Sequence, residues 1–339
     1  MSFFMAIYLN RRVIFGIMFR VFMVLLLFKI GLSNYVPASF VFGDSLLDVG
    51  NNNYIVSLAK ANHDPYGIDF GMATGRFSNG RTVADVISGI LNNSGQIFGG
   101  RINFDAQIDN FANTREEIIS LIGVPAALNL FKKALFTVAL GSNDFLDNYL
   151  TPILSIPERV LVSPESFVAT LVSRLRLQLT RLFNLGARKI VVVNVGPIGC
   201  IPYVRDFTPF AGDECVTLPN ELAQLFNTQL KSLVAELRTK LEGSLFVYAD
   251  VYHIMEDILQ NYNDYGFENP NSACCHLAGR FGGLIPCNRN SKVCEDRSKY
   301  VFWDTYHPSD AANAVIAERL INGDTRDILP INICQLSKA

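Results

Sequence analysis

Four short, unbroken apolar runs separated by long amphipathic stretches constrain this chain more than any other feature. The runs are Ser39–Phe42, Leu135–Leu140, Lys189–Val195 and Leu245–Ala249, rich in Val, Phe and Ala. Runs of this length without regular polar alternation read as strands covered on both faces. Helical signals lie between and after them. Ser163-Pro164-Glu165 supplies a cap, a proline at the first helical position and an acid in the first turn. Phe167, Leu171, Leu175, Leu179 and Leu182 then form one apolar stripe, and Gly186 ends it. A second helix is predicted from about Pro219 to Leu241, stopped by Gly243, and a third follows Pro308 up to Leu320. Strands alternating with helices pair in parallel through right-handed crossovers, which predicts an α/β domain of three layers, α/β/α, with a mostly parallel sheet. Sites in such folds lie beyond the carboxyl ends of the strands.

Three polar clusters fall at those positions. The first run ends in Phe42-Gly43-Asp44-Ser45, a tight turn that lifts a serine above the sheet. The second run ends in Leu140-Gly141-Ser142-Asn143-Asp144, where the Asn143 amide is placed to donate to an oxyanion. Near the carboxyl end stands Trp303-Asp304-Thr305-Tyr306-His307-Pro308. Pro308 disfavours helical geometry at His307, so the imidazole stays on a loop. Asp304, three residues earlier, is within reach of its Nδ1. Each cluster alone has a plain structural reading: a helix cap for Ser45, a polar turn for Asn143, a surface histidine for His307. Together they are the parts of acyl-transfer chemistry, with Ser45, His307 and Asp304 as catalytic residues. No G-x-S-x-G, G-x-x-x-x-G-K or G-x-G-x-x-G motif offers another chemistry.

The remaining signals concern where the chain works. Arg11, Arg12 and Arg20 precede the apolar run Val21–Phe28, followed by Gly31-Leu32-Ser33. This is the pattern of a cleaved signal peptide over residues 1–33, and it is too short and too interrupted for a membrane span. A single domain is expected over 34–339, secreted to the extracellular space as a monomer. All seven cysteines lie in the second half. Export makes them disulfide candidates, and no zinc-ligand spacing is present. The expected pairing joins Cys200 to Cys215. Cys274, Cys275, Cys287 and Cys294 pair among themselves, with three connectivities open, and Cys334 is left over. Asn92 in Asn92-Asn93-Ser94 is a glycosylation candidate. With 29 basic against 31 acidic residues the chain has no electrostatic footprint for nucleic acid.

The chain resembles the plant GDSL esterase/lipase family within the SGNH hydrolases. The resemblance rests on Phe42-Gly43-Asp44-Ser45 with Gly50-Asn51-Asn52-Asn53, on Gly75-Arg76-Phe77-Ser78-Asn79-Gly80-Arg81, and on Gly141-Ser142-Asn143-Asp144. It continues through Gly196-Pro197-Ile198-Gly199-Cys200, Ala273-Cys274-Cys275 and the segment from Trp303 to Pro308. It implies a flavodoxin-like sheet and hydrolysis of carboxylic esters, small or lipidic, without metal or organic cofactor. It also implies an oxyanion hole from the Ser45 N–H, a glycine N–H and Asn143. One departure stands out. The loop and second, edge strand that in this family lead to the oxyanion glycine are missing between Ile87 and Ser88, so Gly89 becomes the candidate donor. A catalytically impaired member acting as a binding protein is the alternative this departure raises.

Overall fold

A computed structural model describes residues 36–57, 59–83, 102–150, 162–208 and 212–339. The expected leader, Gly89, Asn92 and the 87/88 junction lie outside them. The main sheet joins β1 (Ser39–Gly43), β2 (Leu135–Ala139), β3 (Lys189–Val193) and β4 (Leu245–Ala249) in parallel, in that order. The four predicted runs are these four strands. The two-residue strand β9 (Ile328–Leu329) closes the sheet antiparallel against β4. Two small sheets stand apart: β5 (Asn269–Ala273) with β8 (Tyr300–Phe302), and β6 (Cys275–His276) with β7 (Lys292–Val293). Among the described residues β1 is the edge of the main sheet.

The helices are α1 (Phe104–Ile122), α2 (Val124–Lys133), α3 (Pro164–Asn184), α4 (Pro202–Phe207), α5 (Thr217–Lys240), α6 (Val251–Gln260), α7 (Asp310–Asn322) and α8 (Ile333–Lys338). On one side α1 packs on β1 and α3, and α3 on α5, which covers β4; on the other α7 meets α6 and α8, and α8 meets β3. This is the three-layer arrangement, and α3, α5 and α7 are the three predicted helices. Every residue of β3 is buried, as a central strand under two helical layers must be. Phe40, Phe42, Phe111, Phe131 and Phe136 interlock under α1 and α2, with ring centroids 4.9–6.5 Å apart. These five rings are therefore part of the core.

Helix α7 begins two residues after Pro308, in keeping with the sequence reading. Pro308 itself stays outside the helix. It bridges back to Phe302, and Ser309 caps the helix by accepting from the Ala312 N–H at 3.2 Å. The extended backbone that lets Ser309 cap also keeps His307 two residues clear of the helix. No helix among the described residues is long and apolar enough to cross a membrane.

Candidate active site

At the end of β1 the chain turns immediately into a 3-10 turn, Ser45–Leu47. A side chain at Gly43 would meet Leu47 Cδ1 at 2.4 Å, so only glycine lets the turn fold this tightly onto the strand. Asp44, not Ser45, is the capping residue: its Oδ1 accepts from the Leu46 N–H at 3.1 Å. The serine hydroxyl is thereby left for other work. Gln107 of α1 pins the strand end, donating to the Gly43 carbonyl at 3.0 Å and accepting from the Gly43 N–H at 3.1 Å.

The opposing loop is closed by its own backbone. The Trp303 N–H donates to the His307 carbonyl at 2.8 Å and the Ser309 N–H to the Val301 carbonyl at 2.8 Å. The cysteine-rich segment buttresses it from outside. The N–H groups of Cys274 and Cys275 donate to the carbonyls of Phe302 and Trp303 at 3.1 and 2.7 Å. Those cysteines bond to Cys294 and Cys287, while Cys200 bonds to Cys215 and Cys334 is free. Of the three connectivities the sequence leaves open, this is the nested one, with the Cys275–Cys287 loop inside the Cys274–Cys294 loop.

These loops bring Ser45, His307 and Asp304 together. His307 Nε2 lies 2.7 Å from Ser45 Oγ, and Nδ1 lies 2.8 and 2.9 Å from the two oxygens of Asp304. A carboxylate only accepts, so Nδ1 carries the proton and Nε2 is the free base facing the hydroxyl. Asp304 Oδ1 also accepts from the N–H groups of Tyr306 and His307, at 2.8 and 2.9 Å. Burial alone raises the proton affinity of Asp304. The charge and hydrogen bond of His307, with the two backbone N–H groups, outweigh it and hold this carboxyl below its usual range.

Ser45 and His307 open onto a cavity of about 860 Å³ whose wall includes Asn143, Leu146, Ile198 and Ile285. Gly141, at φ +129°, turns the chain out of β2 toward Asn143. Asn143 lines this cavity beside Ser142. Three carboxylates sit beside this rim. Burial first, and then the Asp144 charge, push Asp44 up to about 7. Burial, Asp144 and Asp44 do the same for Asp147, also to about 7.

Sequence reasoning missed four contributors: Tyr66, Phe77, Gln107 and Asp147. Phe77 packs its ring 5.0 Å from the His307 ring, and the Tyr66 hydroxyl donates to Asp304 Oδ2 at 2.9 Å. Phe77 lies inside a conspicuous motif, the stretch from Gly75 to Arg81. No spacing rule ties Tyr66 to a carboxylate 238 residues away.

Comparison with known proteins gives the family. The family model for the GDSL-like lipase/acylhydrolase matches residues 40–320. GDSL esterase/lipase At4g16230 of Arabidopsis thaliana is 55% identical over 335 aligned residues, covering 89% of this chain and 91% of the relative. GDSL esterase/lipase At2g23540 of the same plant is 44% identical, covering 88% and 87%. GDSL esterase/lipase 7, also of Arabidopsis thaliana, is 39% identical, covering 89% and 92%.

Proposed function

The chain belongs to the GDSL-like lipase/acylhydrolase family of ester hydrolases, and from that premise we propose that it cleaves a carboxylic acyl ester through an acyl-enzyme on Ser45. The observation that carries the reading is the unbroken chain Asp304–His307–Ser45, each link within 2.9 Å. His307 Nε2 takes the Ser45 proton as Oγ attacks the ester carbonyl. The imidazolium is stabilised by Asp304 and hands its proton to the leaving alcohol. Water then repeats the sequence on the acyl-enzyme, frees the acid and restores Ser45. The Ser45 N–H and the Asn143 amide are the proposed donors to the oxyanion, with the Gly89 N–H as third candidate. The cavity's apolar walls suit the acyl portion of an ester, small or lipidic.

Secretion as a monomer is part of the proposal, supported by the pattern of residues 1–33 and by the three disulfides. N-terminal sequencing of protein exported by a plant or insect cell line should begin at Asn34 or within a few residues of it. A retained Met1 would sink this part.

A second reading has one observation behind it. The 335-residue alignment with the first relative takes in only 89% of the 339 residues here, so that relative carries residues with no counterpart in this chain. A missing stretch at 87/88 would account for such residues, and the loss of one oxyanion donor with it would slow an esterase, typically by on the order of a hundredfold or more.

The deciding experiment pairs Ser45→Ala with wild type. Turnover of a p-nitrophenyl ester should fall by on the order of 10⁴-fold or more, with circular dichroism unchanged. Labelling by a fluorophosphonate should vanish. Activity within a few per cent of wild type in the variant would overturn Ser45, and wild type that neither labels nor turns over would favour the binding-protein reading.

A further inference from the structure

Asp304 accepts from one donor that belongs to neither its own loop nor His307. The Tyr66 hydroxyl donates to its Oδ2 at 2.9 Å, inside the protein. Tyr66 is 4% exposed. Its ring is held edge-on by Trp303, Phe77 and His63, with centroids 6.2, 5.9 and 5.4 Å away. Burial, and then the neighbouring Asp304 charge, push the phenol well above its ordinary range, so it remains a neutral donor. The segment carrying Tyr66 also supplies Phe77 against the imidazole, and it is fastened at a distance. Asp69 pairs with Arg297 at 2.6 Å and receives the Asn79 amide at 2.8 Å, and Arg81 pairs with Asp310 at 2.8 Å.

Resting on the triad reading, we infer that Tyr66 is a positioning residue for the reaction, acting through Asp304 as a fourth member of the hydrogen-bonded chain. The Asp304 carboxylate has two oxygens to align with one imidazole. Oδ1 is fixed by the two backbone N–H groups of its own loop. Oδ2 has only His307 Nδ1 and Tyr66 as donors among the described residues. Tyr66 therefore sets the rotation of the carboxylate about its own bond. Its hydroxyl also shares the negative charge on Oδ2 with the histidine.

Two consequences follow from the phenol's place in this chain. Without the hydroxyl the carboxylate swings more freely, and the proton transfer from Ser45 loses alignment. The full carboxylate charge then falls on the imidazole. The other charged or titratable groups near His307 are Asp44, whose charge also acts on it, and Tyr306, whose ring centroid lies 5.9 Å away. Both are present in either variant, so they do not mimic the change.

The test is Tyr66→Phe, which keeps the ring and removes only the donor. kcat on a p-nitrophenyl ester should fall about tenfold with KM within about twofold, since a hydrogen bond to a charged group is worth roughly that in a barrier. The acid limb of the kcat profile should move to higher pH. The downfield proton resonance of His307 Nδ1, read by NMR without turnover, should shift. Tyr66→Leu serves as a packing control: it loses both ring and donor, and a structural role alone would lower its thermal stability while leaving the Phe variant at wild-type rate. Unchanged kcat, acid limb and proton resonance in Tyr66→Phe would overturn the inference. A shifted resonance in a protein whose Ser45→Ala variant keeps full activity would leave the contact to Asp304 in place and defeat the triad reading instead.

Discussion

Two buried aspartates flank the Ser45–His307 pair, and they meet the same desolvation with opposite results. Asp304 is 1% exposed and Asp44 is 2% exposed. Asp304 gathers two backbone N–H groups, a phenol and an imidazole, and stays below the usual carboxylate range. Asp44 gathers the Leu46 N–H and faces Asp144, and is pushed up to about 7. Burial therefore does not decide the charge of a carboxyl; the balance of donors and like charges around it does. Asp304 brings a full negative charge to the imidazole. Asp44 is divided between its two forms at neutral pH, and its structural work, capping the turn of Ser45, needs an acceptor oxygen rather than a charge.

The largest effect that sharpens this contrast is Asp304→Asn. An amide turned toward Nδ1 imposes the wrong tautomer on His307, and the rate should fall by on the order of 10⁴-fold while the fold survives. Steady-state kinetics beside thermal unfolding separate the two. A loss below tenfold would mean that His307 finds its orientation elsewhere. Asp44→Asn should do far less, leaving kcat within about threefold of wild type, because asparagine caps as well as aspartate does. If the Asp44 variant lost as much rate as the Asp304 variant, the comparison would fail, and Asp44 would be needed as a charge.

The reasons one aspartate was legible in the sequence and the other residues were not are physical. Asp304 lies three residues from His307, and Pro308 fixes the local backbone, so short-range geometry predicts their contact. The strands were legible because burial on both faces demands continuous apolar runs. Helix α3 carries a cap and an apolar stripe, and α5 ends at a glycine, whereas α1 opens on Asn103 with a mixed face, and its buried Gln107 reads as an ordinary polar residue until β1 is placed against it. Tyr66 and Asp147 are more remote still. Their significance is set by residues far off in sequence, and no local pattern records it. The disulfide connectivity is undetermined in the sequence for the same reason: Cys274 and Cys275 are adjacent at the passage from β5 to β6, and which partner meets which depends on the tertiary path.

The smallest effect concerns Asp147, and it separates charge from fold. Its carboxyl is pushed up to about 7, by burial first and then by Asp144 and Asp44. In the unfolded chain the same group has the ordinary aspartate value of about 3.8. Between these two values the folded state binds more protons than the unfolded state, so its contribution to stability declines as pH rises through this window. Below the unfolded value both states are protonated and the group is without penalty; above the folded value the whole penalty is present. Asparagine carries no charge at any pH, so Asp147→Asn should be near neutral at about pH 4 and stabilising at about pH 8.5. Each kcal/mol recovered should raise Tm by roughly 2–4 °C in a domain of this size or somewhat smaller. Thermal unfolding of both proteins at the two pH values measures it. The same difference at both would show that Asp147 acts by packing or hydrogen bonding, and a destabilised variant at about pH 8.5 would show that its charge is compensated in the folded protein. Either result would leave Asp44 as the one aspartate at this rim whose surroundings disfavour ionisation.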